Sequence, residues 1–156
     1  SMGGAITLWL ASRHSDLSGI VCINPTTKSS ASKLAGARLA VKTGKKSLPA
    51  IGSDISDPAV KESSYDATPL AAAVSLFADG LKPLSKKYGS IKVPLLLFTA
   101  TNDHVVNPKE SDFLVSKYAG SVERVTLERS FHVATQDVEK ETIHAKALEF
   151  AKRVTA

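Results

Sequence analysis

The sequence has only one cysteine, Cys22, so a disulfide within the chain is excluded. Because Cys22 lies in the apolar run Gly19–Ile23, we predict a buried core thiol, and the low cysteine content favours a reducing, cytoplasmic setting. No apolar run approaches the roughly 18 residues of a membrane span. The first residues also carry no basic stretch, so neither a signal peptide nor integral membrane association is predicted.

Motifs that hold metals or nucleotides are missing as well. The histidines, at positions 14, 104, 132 and 144, do not have the spacing of an HExxH zinc motif. Neither GxGxxG nor GxxxxGK[ST] occurs, and both motifs place phosphates against a glycine-rich backbone. We therefore predict no metal site and no cofactor.

Acidic residues are absent between Asp16 and Asp54, although the net charge of the whole chain is only +5. The basic residues in this stretch are Lys28, Lys33, Arg38, Lys42, Lys45 and Lys46. Such a stretch can bind anions or nucleic acid, or it can form a solvated surface. No aromatic residues lie among these cations to stack on bases, so we favour the solvated surface and predict no nucleic-acid partner.

The hydrophobic pattern alternates between helices and strands. Residues 2–13 are rich in Ala and Leu and predict a helix, whereas residues 17–23 predict a buried strand that ends at Asn24-Pro25. Residues 93–100 predict a second strand, apolar enough to be covered on both faces. Residues 122–128 alternate as a third strand nearer an edge. The final helix should bury a stripe formed by Ile143, Ala147, Phe150, Ala151 and Val154.

This order predicts an α/β fold with a mostly parallel sheet flanked by helices. We expect three parts: a core helix and strand in residues 1–25, an insert in residues 26–90, and further core in residues 91–156. The insert (residues 26–90) shows helical signals rather than strands. Two later capping signals are Asn107-Pro108 with Glu110 at N3, close to a capping box, and Asp137 before the final helix.

Inside the insert, Thr68 is predicted to cap a helix with Pro69 at its first position. The apolar face of this helix would contain Leu70, Val74 and Phe77, and Gly80 would end it.

Three residues could form a nucleophilic site. Ser1 is followed by Met2-Gly3-Gly4 and a predicted helix, which matches the second half of a nucleophile elbow. Asp103 lies just after a buried parallel strand, where α/β folds place functional groups. His132 lies in the loop before the last helix, and the order Ser, Asp, His is that of α/β-hydrolase triads. His104 is expected to face away from such a triad.

Longer stretches support the same interpretation. Residues 91–98 and 102–108 resemble the acid-loop region of bacterial carboxylesterases and monoacylglycerol lipases, and residues 130–140 are similar to the histidine loop of that family. The resemblance covers nearly the whole chain and corresponds to the C-terminal half of an α/β-hydrolase, from the elbow onward. It implies that residues 26–90 form a helical cap.

The resemblance also implies roles for single residues. Ser1 would be the nucleophile, His132 the general base, Asp103 the orienting acid, and the Met2 N–H one oxyanion donor. The reaction would be hydrolysis of an ester or lipid through an acyl-enzyme. The acyl pocket would be formed by Leu70, Val74 and Phe77.

Family members carry strands before the elbow, and these are not in this sequence. We therefore keep an alternative, a truncated and non-catalytic fragment that self-associates. The expected partners are accordingly a small ester substrate and either a second copy or the missing N-terminal half. The sequence leaves open whether Ser1 is the family serine or matches it by coincidence.

Overall fold

A computed structural model describes residues 1–50 and 52–156. Its central feature is a three-stranded parallel sheet with the strand order β1-β4-β5. The strands of this sheet are β1 (Ile20–Ile23), β4 (Leu95–Ala100) and β5 (Val122–Leu127). The helices are α1 (Met2–Ala11), α2 (Ala31–Lys42), α3 (Leu70–Ser75), α4 (Lys82–Leu84), α5 (Lys109–Lys117) and α6 (Lys140–Thr155). The predicted fold class, an α/β fold with a parallel sheet flanked by helices, is thus confirmed.

The core has two halves because successive side chains of β4 point to opposite faces of the sheet. Leu95 and Leu97 pack with Leu8 of α1 and Leu114 of α5. On the other face, Leu96 and Phe98 of β4 pack against Ile143 and Phe150 of α6. Leu127, at the end of β5, belongs to the same cluster. Every residue of β4 is buried, as its continuous apolar sequence predicts for a central strand.

The two outer strands pair with β4 in register. Ile20 of β1 lies opposite Leu95, and Val122 of β5 also lies opposite Leu95 from the other side. β5 is therefore an edge strand, as predicted, and of its residues only Leu127 is fully buried. Cys22 in β1 is 1% exposed, which confirms the predicted core thiol.

The insert contains a short antiparallel pair that the sequence did not predict. β2 (Ser47–Pro49) pairs with β3 (Ala67–Pro69), with Leu48 opposite Thr68. All residues of both strands are exposed, so they lack the alternating burial by which strands are recognised in a sequence. The expectation of helices alone in this segment was therefore wrong.

Two helix boundaries in the insert also differ from the prediction. Thr68 and Pro69 belong to β3, and α3 begins at Leu70 without a side-chain cap. Gly80 does not end the helix, because α3 continues as a π-helical turn over Leu76–Leu81 and then as α4. The glycines with positive φ are Gly44 and Gly52, so Gly80 lacks the left-handed conformation of a glycine stop.

Two predicted capping carboxylates make other contacts. The N-cap of α5 is Pro108 rather than the predicted Asn107, and the helix has no side-chain cap, although Asn107 Oδ1 accepts from Lys109 N at 3.0 Å. The Glu110 carboxylate accepts from Thr27 N at 2.8 Å. Asp137 lies three residues before α6, and its carboxylate binds amides of neighbouring loops instead.

The buried stripe of α6 is confirmed with one exception, the exposed Ala151. In the part of the chain that the structure describes, no helix is long and apolar enough to cross a membrane.

Candidate active site

His132 and Asp103 form a buried pair where the chain leaves the sheet. His132 Nδ1 lies 2.7 Å from Asp103 Oδ2, and the two side chains are 12% and 2% exposed. The other oxygen, Asp103 Oδ1, accepts the backbone N–H groups of Val105 and Val106 at 2.8 Å each. The carboxylate is therefore fixed by its own loop. It holds the Nδ1–H tautomer of the imidazole, which leaves Nε2 free to accept a proton.

Ser1 lies beside this pair, at the start of α1. Its carbonyl oxygen accepts from Ala5 N at 3.3 Å and from Thr26 N at 3.2 Å, which fixes the backbone between the helix and the loop after β1. Ser1 and His132 line the same cavity, of about 410 Å³. The structure thus brings together Ser1, Asp103 and His132 from three separate loops of the sequence.

The close approach of α1 to this loop depends on a glycine. A Cβ placed on Gly4 would lie 2.5 Å from Pro25 Cβ and 3.0 Å from Pro25 Cα. A Cβ on Gly3 would meet nothing within 4 Å. Of the two glycines after Ser1 and Met2, Gly4 is therefore the one that the packing requires.

Met2 begins α1, so its backbone N–H is among the first amides of the helix. These amides have no carbonyl of a preceding turn to bond, and the helix dipole makes this end favourable for negative charge.

Ser1 also lines a second and larger cavity, of about 490 Å³. Its apolar wall comes from the insert and from the loop after Asp103, and includes Ala72, Leu76, Phe77, Val105 and Val106. Its polar wall includes Thr26, Lys28, Ser30, Lys33 and Glu110. The site therefore has an apolar side and a polar side that contains two lysines and one glutamate.

Of the three residues predicted for an acyl pocket, the structure places one on this cavity. Phe77 lines it with Ser1. Leu70 is 1% exposed and belongs to the core, and Val74 lines a separate groove with Arg38 and Val41 of α2. The helical face predicted from the sequence is thus divided between core, groove and cavity.

Asn24 is a residue of this site that the sequence analysis missed. It has a positive φ of 46° and is 3% exposed. Its Nδ2 donates to His132 O at 2.9 Å, and its Oδ1 accepts from Ala100 N at 2.8 Å. Asn24 therefore ties the histidine loop to the ends of β1 and β4. The available signal was an Asn after a strand, because asparagine tolerates the left-handed conformation.

Asp54 of the insert is the second missed residue. Its Oδ2 accepts the backbone N–H groups of His104 and His132, both at 3.1 Å, and its Oδ1 lies 2.7 Å from His104 Nδ1. His104 thus turns towards Asp54, with its ring edge-on to Phe131 at a centroid distance of 4.6 Å.

Burial opposes ionisation of Asp54. The hydrogen bonds from the His104 backbone and ring and from the His132 backbone outweigh it, so the pKa of this carboxyl is lowered.

Two further carboxylates organise the histidine loop. Asp137 accepts from Phe131 N at 2.8 Å and from Ser56 N at 2.8 Å, which joins this loop to the insert. Glu139 accepts from Ser130 N at 2.8 Å. Burial raises the pKa of both acids, but the hydrogen bonds to their charged forms are stronger in sum, and both pKa values are lowered. Among the described residues, no group of three or more potential ligands is arranged to hold a metal ion.

Comparison with known proteins identifies relatives of this chain. Residues 1–139 match the family described as serine aminopeptidase, S33. The chain is 38% identical over 155 residues to the thermostable monoacylglycerol lipase of Bacillus sp. (strain H-257). The aligned region covers 96% of this chain and 59% of that lipase. The chain therefore spans about three fifths of the length of that relative.

Solved structures show the same fold. One, from work on the metagenome-derived lipolytic enzymes LipS and LipT, superposes with a TM-score of 0.89 at 34% identity, over 98% of this chain and 62% of that one. The monoacylglycerol lipase of Paleococcus ferrophilus is 22% identical and superposes with a TM-score of 0.72. The match covers 99% of this chain and 66% of that lipase. Since the family match extends over most of its length, the chain belongs to the serine aminopeptidase S33 family of α/β-hydrolases.

Proposed function

We propose that the protein carrying this chain hydrolyses carboxylic esters of the monoacylglycerol type, with Ser1 as nucleophile, His132 as general base and Asp103 as orienting acid. The observation that carries the proposal is the 2.7 Å contact between His132 Nδ1 and Asp103 Oδ2, beside a cavity that Ser1 and His132 both line. Similarity to a monoacylglycerol lipase and to lipolytic enzymes supports an ester as the substrate.

The first half of the reaction acylates the serine. His132 Nε2 takes the Ser1 Oγ proton while Oγ bonds to the ester carbonyl carbon, and the carbonyl electron pair moves to its oxygen. Asp103 stabilises the imidazolium that forms. When the carbonyl re-forms, the C–O bond to the alcohol breaks, and the alcohol leaves with the proton from Nε2. Ser1 then carries the acyl group.

Water completes the cycle by the same proton path. It gives a proton to His132 Nε2 and bonds to the acyl carbon, and the bond to Ser1 Oγ then breaks. Oγ recovers the proton, and the carboxylic acid is released. The Met2 N–H, at the start of α1, would be one donor to the oxyanion in both halves.

The 490 Å³ cavity supports a substrate with one apolar and one polar part. Leu76, Phe77 and Val106 offer contacts for an acyl chain, and burying it there excludes water from the reacting carbonyl. The side that includes Thr26 and Lys28 would hold the hydroxylated alcohol. The Glu110 carboxylate already accepts from Thr27 N, so it supports this wall structurally.

The proposal is tested with a fluorophosphonate, whose phosphorus bonds to an activated serine oxygen as fluoride leaves. Intact mass should show one adduct on the protein, and both Ser1→Ala and His132→Ala should abolish it. Turnover should be measured on p-nitrophenyl octanoate and on alanine p-nitroanilide. We expect hydrolysis of the ester and little of the anilide.

Three results would contradict the proposal in different ways. An adduct that survives Ser1→Ala would place the nucleophile elsewhere. Preference for the anilide would favour an aminopeptidase, the activity in the family's name. A folded protein that forms no adduct would favour the alternative of a non-catalytic, self-associating chain, which sedimentation at several concentrations would then examine.

A further inference from the structure

The Asp54 carboxylate joins the insert to two loops of the core at once. It is 9% exposed, although aspartate is seldom buried unless its charge is satisfied. Its Oδ2 takes one N–H from each loop, His104 N and His132 N, both at 3.1 Å. Its own backbone carbonyl accepts from Val133 N at 3.0 Å. Four polar contacts, including the one to the His104 ring, thus converge on this residue.

The two amides that share Oδ2 belong to the proposed catalytic loops. His104 directly follows Asp103, and the second amide is that of His132 itself. The single oxygen Asp54 Oδ2 therefore fixes the distance between the amide of His104, which follows the acid Asp103, and the amide of the base His132. The next peptide group of the loop is held by Asn24, whose Nδ2 donates to His132 O at 2.9 Å.

The distance between these loops matters for the reaction. The His132–Asp103 contact of 2.7 Å joins the loop after β4 to the loop after β5, both at the carboxyl edge of the parallel sheet. Misplacement of a catalytic group by about 1 Å can cost roughly 10²-fold in rate. Burial raises the pKa of Asp54, but the hydrogen bonds that it accepts favour its charged form and lower the pKa below its ordinary value.

We propose that Asp54 is a positioning residue for ester hydrolysis: the insert, through this carboxylate, holds the loops of Asp103 and His132 at their working distance. The inference rests on the proposed function. It requires no contact between Asp54 and the substrate. Loss of the carboxylate should therefore lower kcat and leave KM for a small ester nearly unchanged.

The test compares two substitutions at this position. Asp54→Ala removes both acceptors and should lower kcat on p-nitrophenyl acetate by about 10- to 100-fold. Asp54→Asn keeps one oxygen for the two amides, and its amide group can donate to His104 Nδ1 in the other tautomer. It should stay within about threefold of the unsubstituted protein, because one oxygen suffices for both amides. Asp57→Ala is the matched control, since Asp57 is an insert carboxylate that accepts from Ala59 N at 2.9 Å, within the insert.

Folding and catalysis are separated by a further variant and a second readout. Asp54→Ser, whose hydroxyl is too short to reach both amides, replaces the alanine variant if that protein does not fold, and it should show the same loss of kcat. The rate of fluorophosphonate labelling of Ser1 should fall in parallel, with far-UV circular dichroism unchanged.

The outcomes distinguish this inference from the proposed function. A protein whose activity depends on Ser1 but whose Asp54→Ala or Asp54→Ser variant keeps its kcat overturns the role of Asp54 alone. A change confined to KM, with kcat unaffected, also overturns this role. So does a fall in kcat in Asp54→Asn and Asp57→Ala that is as large as the fall in Asp54→Ala. If the unsubstituted protein gives no Ser1 adduct, the proposed function fails and this inference fails with it.

Discussion

At the scale of single residues, four carboxylates around the candidate site accept hydrogen bonds from backbone amides. Asp54, Asp103, Asp137 and Glu139 each accept at least two N–H groups of nearby or distant loops. A charged acceptor makes a stronger hydrogen bond than a neutral one, so a short acidic side chain can order a loop that lacks regular structure. The Asp103–His132 pair is thus embedded in a network of similar contacts.

Alanine substitutions at Gly3 and Gly4 test whether α1 must pack closely against Pro25. Gly4→Ala should destabilise the protein by about 1–3 kcal/mol, because the new methyl group overlaps Pro25. Gly3→Ala, one residue earlier in the same helix, should be neutral or stabilise by about 0.5–1 kcal/mol. Urea unfolding measures both. Equal effects of the two substitutions would argue against the packing described for Gly4.

At the scale of elements, the apolar face predicted for the insert is divided between core, groove and cavity. Phe77 faces the cavity that Ser1 lines, whereas Val74 faces α2, although both are half-buried. Phe77→Ala should lower kcat/KM for p-nitrophenyl octanoate by about tenfold, since partial burial of a phenyl ring is worth about 1.5 kcal/mol. Activity on the acetate ester should change little.

Val74→Ala is the control for that prediction, because it removes a half-buried apolar side chain of the same helical segment. It should leave the ratio of octanoate to acetate activity unchanged. A shift of this ratio by Val74→Ala, or none by Phe77→Ala, would place the acyl chain elsewhere.

The elements that the sequence predicted well are those with a long periodic signal. β4 is apolar in all residues but Thr99, and α6 buries a stripe at helical spacing, so both follow from local pattern. The pair β2–β3 does not, because its exposed, proline-containing strands carry no burial pattern. Helix ends in the insert were misplaced for a related reason: Thr68-Pro69 is a valid capping signal that the strand pairing overrides.

The site shows the same division. Ser1, Asp103 and His132 were predicted because their order along the chain and the residues around them resemble those of a known family. Asp54 and Asn24 were not, since the hydrogen bonds that define them connect residues far apart in sequence. The cytoplasmic setting and self-association stay predictions.

At the scale of the whole molecule, the loop carboxylates make stability depend on pH. The folded-state pKa values of Asp54, Asp137 and Glu139 lie below their ordinary values, so the unfolded chain binds more protons in acid. Their contribution is complete at neutral pH and is lost as the pH falls below about 5. The urea midpoint should therefore drop between pH 7 and pH 4.

A substitution can assign part of this pH dependence. Asp137→Asn should lower the midpoint at pH 7 and flatten its fall towards pH 4, because the residue no longer titrates. Asp16→Asn, at an exposed carboxylate, is the control and should leave the curve as it is. An unchanged slope in Asp137→Asn would mean that other groups cause the acid sensitivity.

The pairing of β1 with β4 also has a consequence for the order of folding. β4 and β5 are joined through the single helix α5, whereas β1 must find β4 across the entire insert, and closing a longer loop costs more chain entropy. The nucleus should therefore form around β4, α5 and β5, with β1 and α1 docking later. Before β1 pairs with β4, the apolar faces of both strands are exposed and can associate with other chains. A newly synthesised molecule therefore avoids aggregation only if β1 docks quickly.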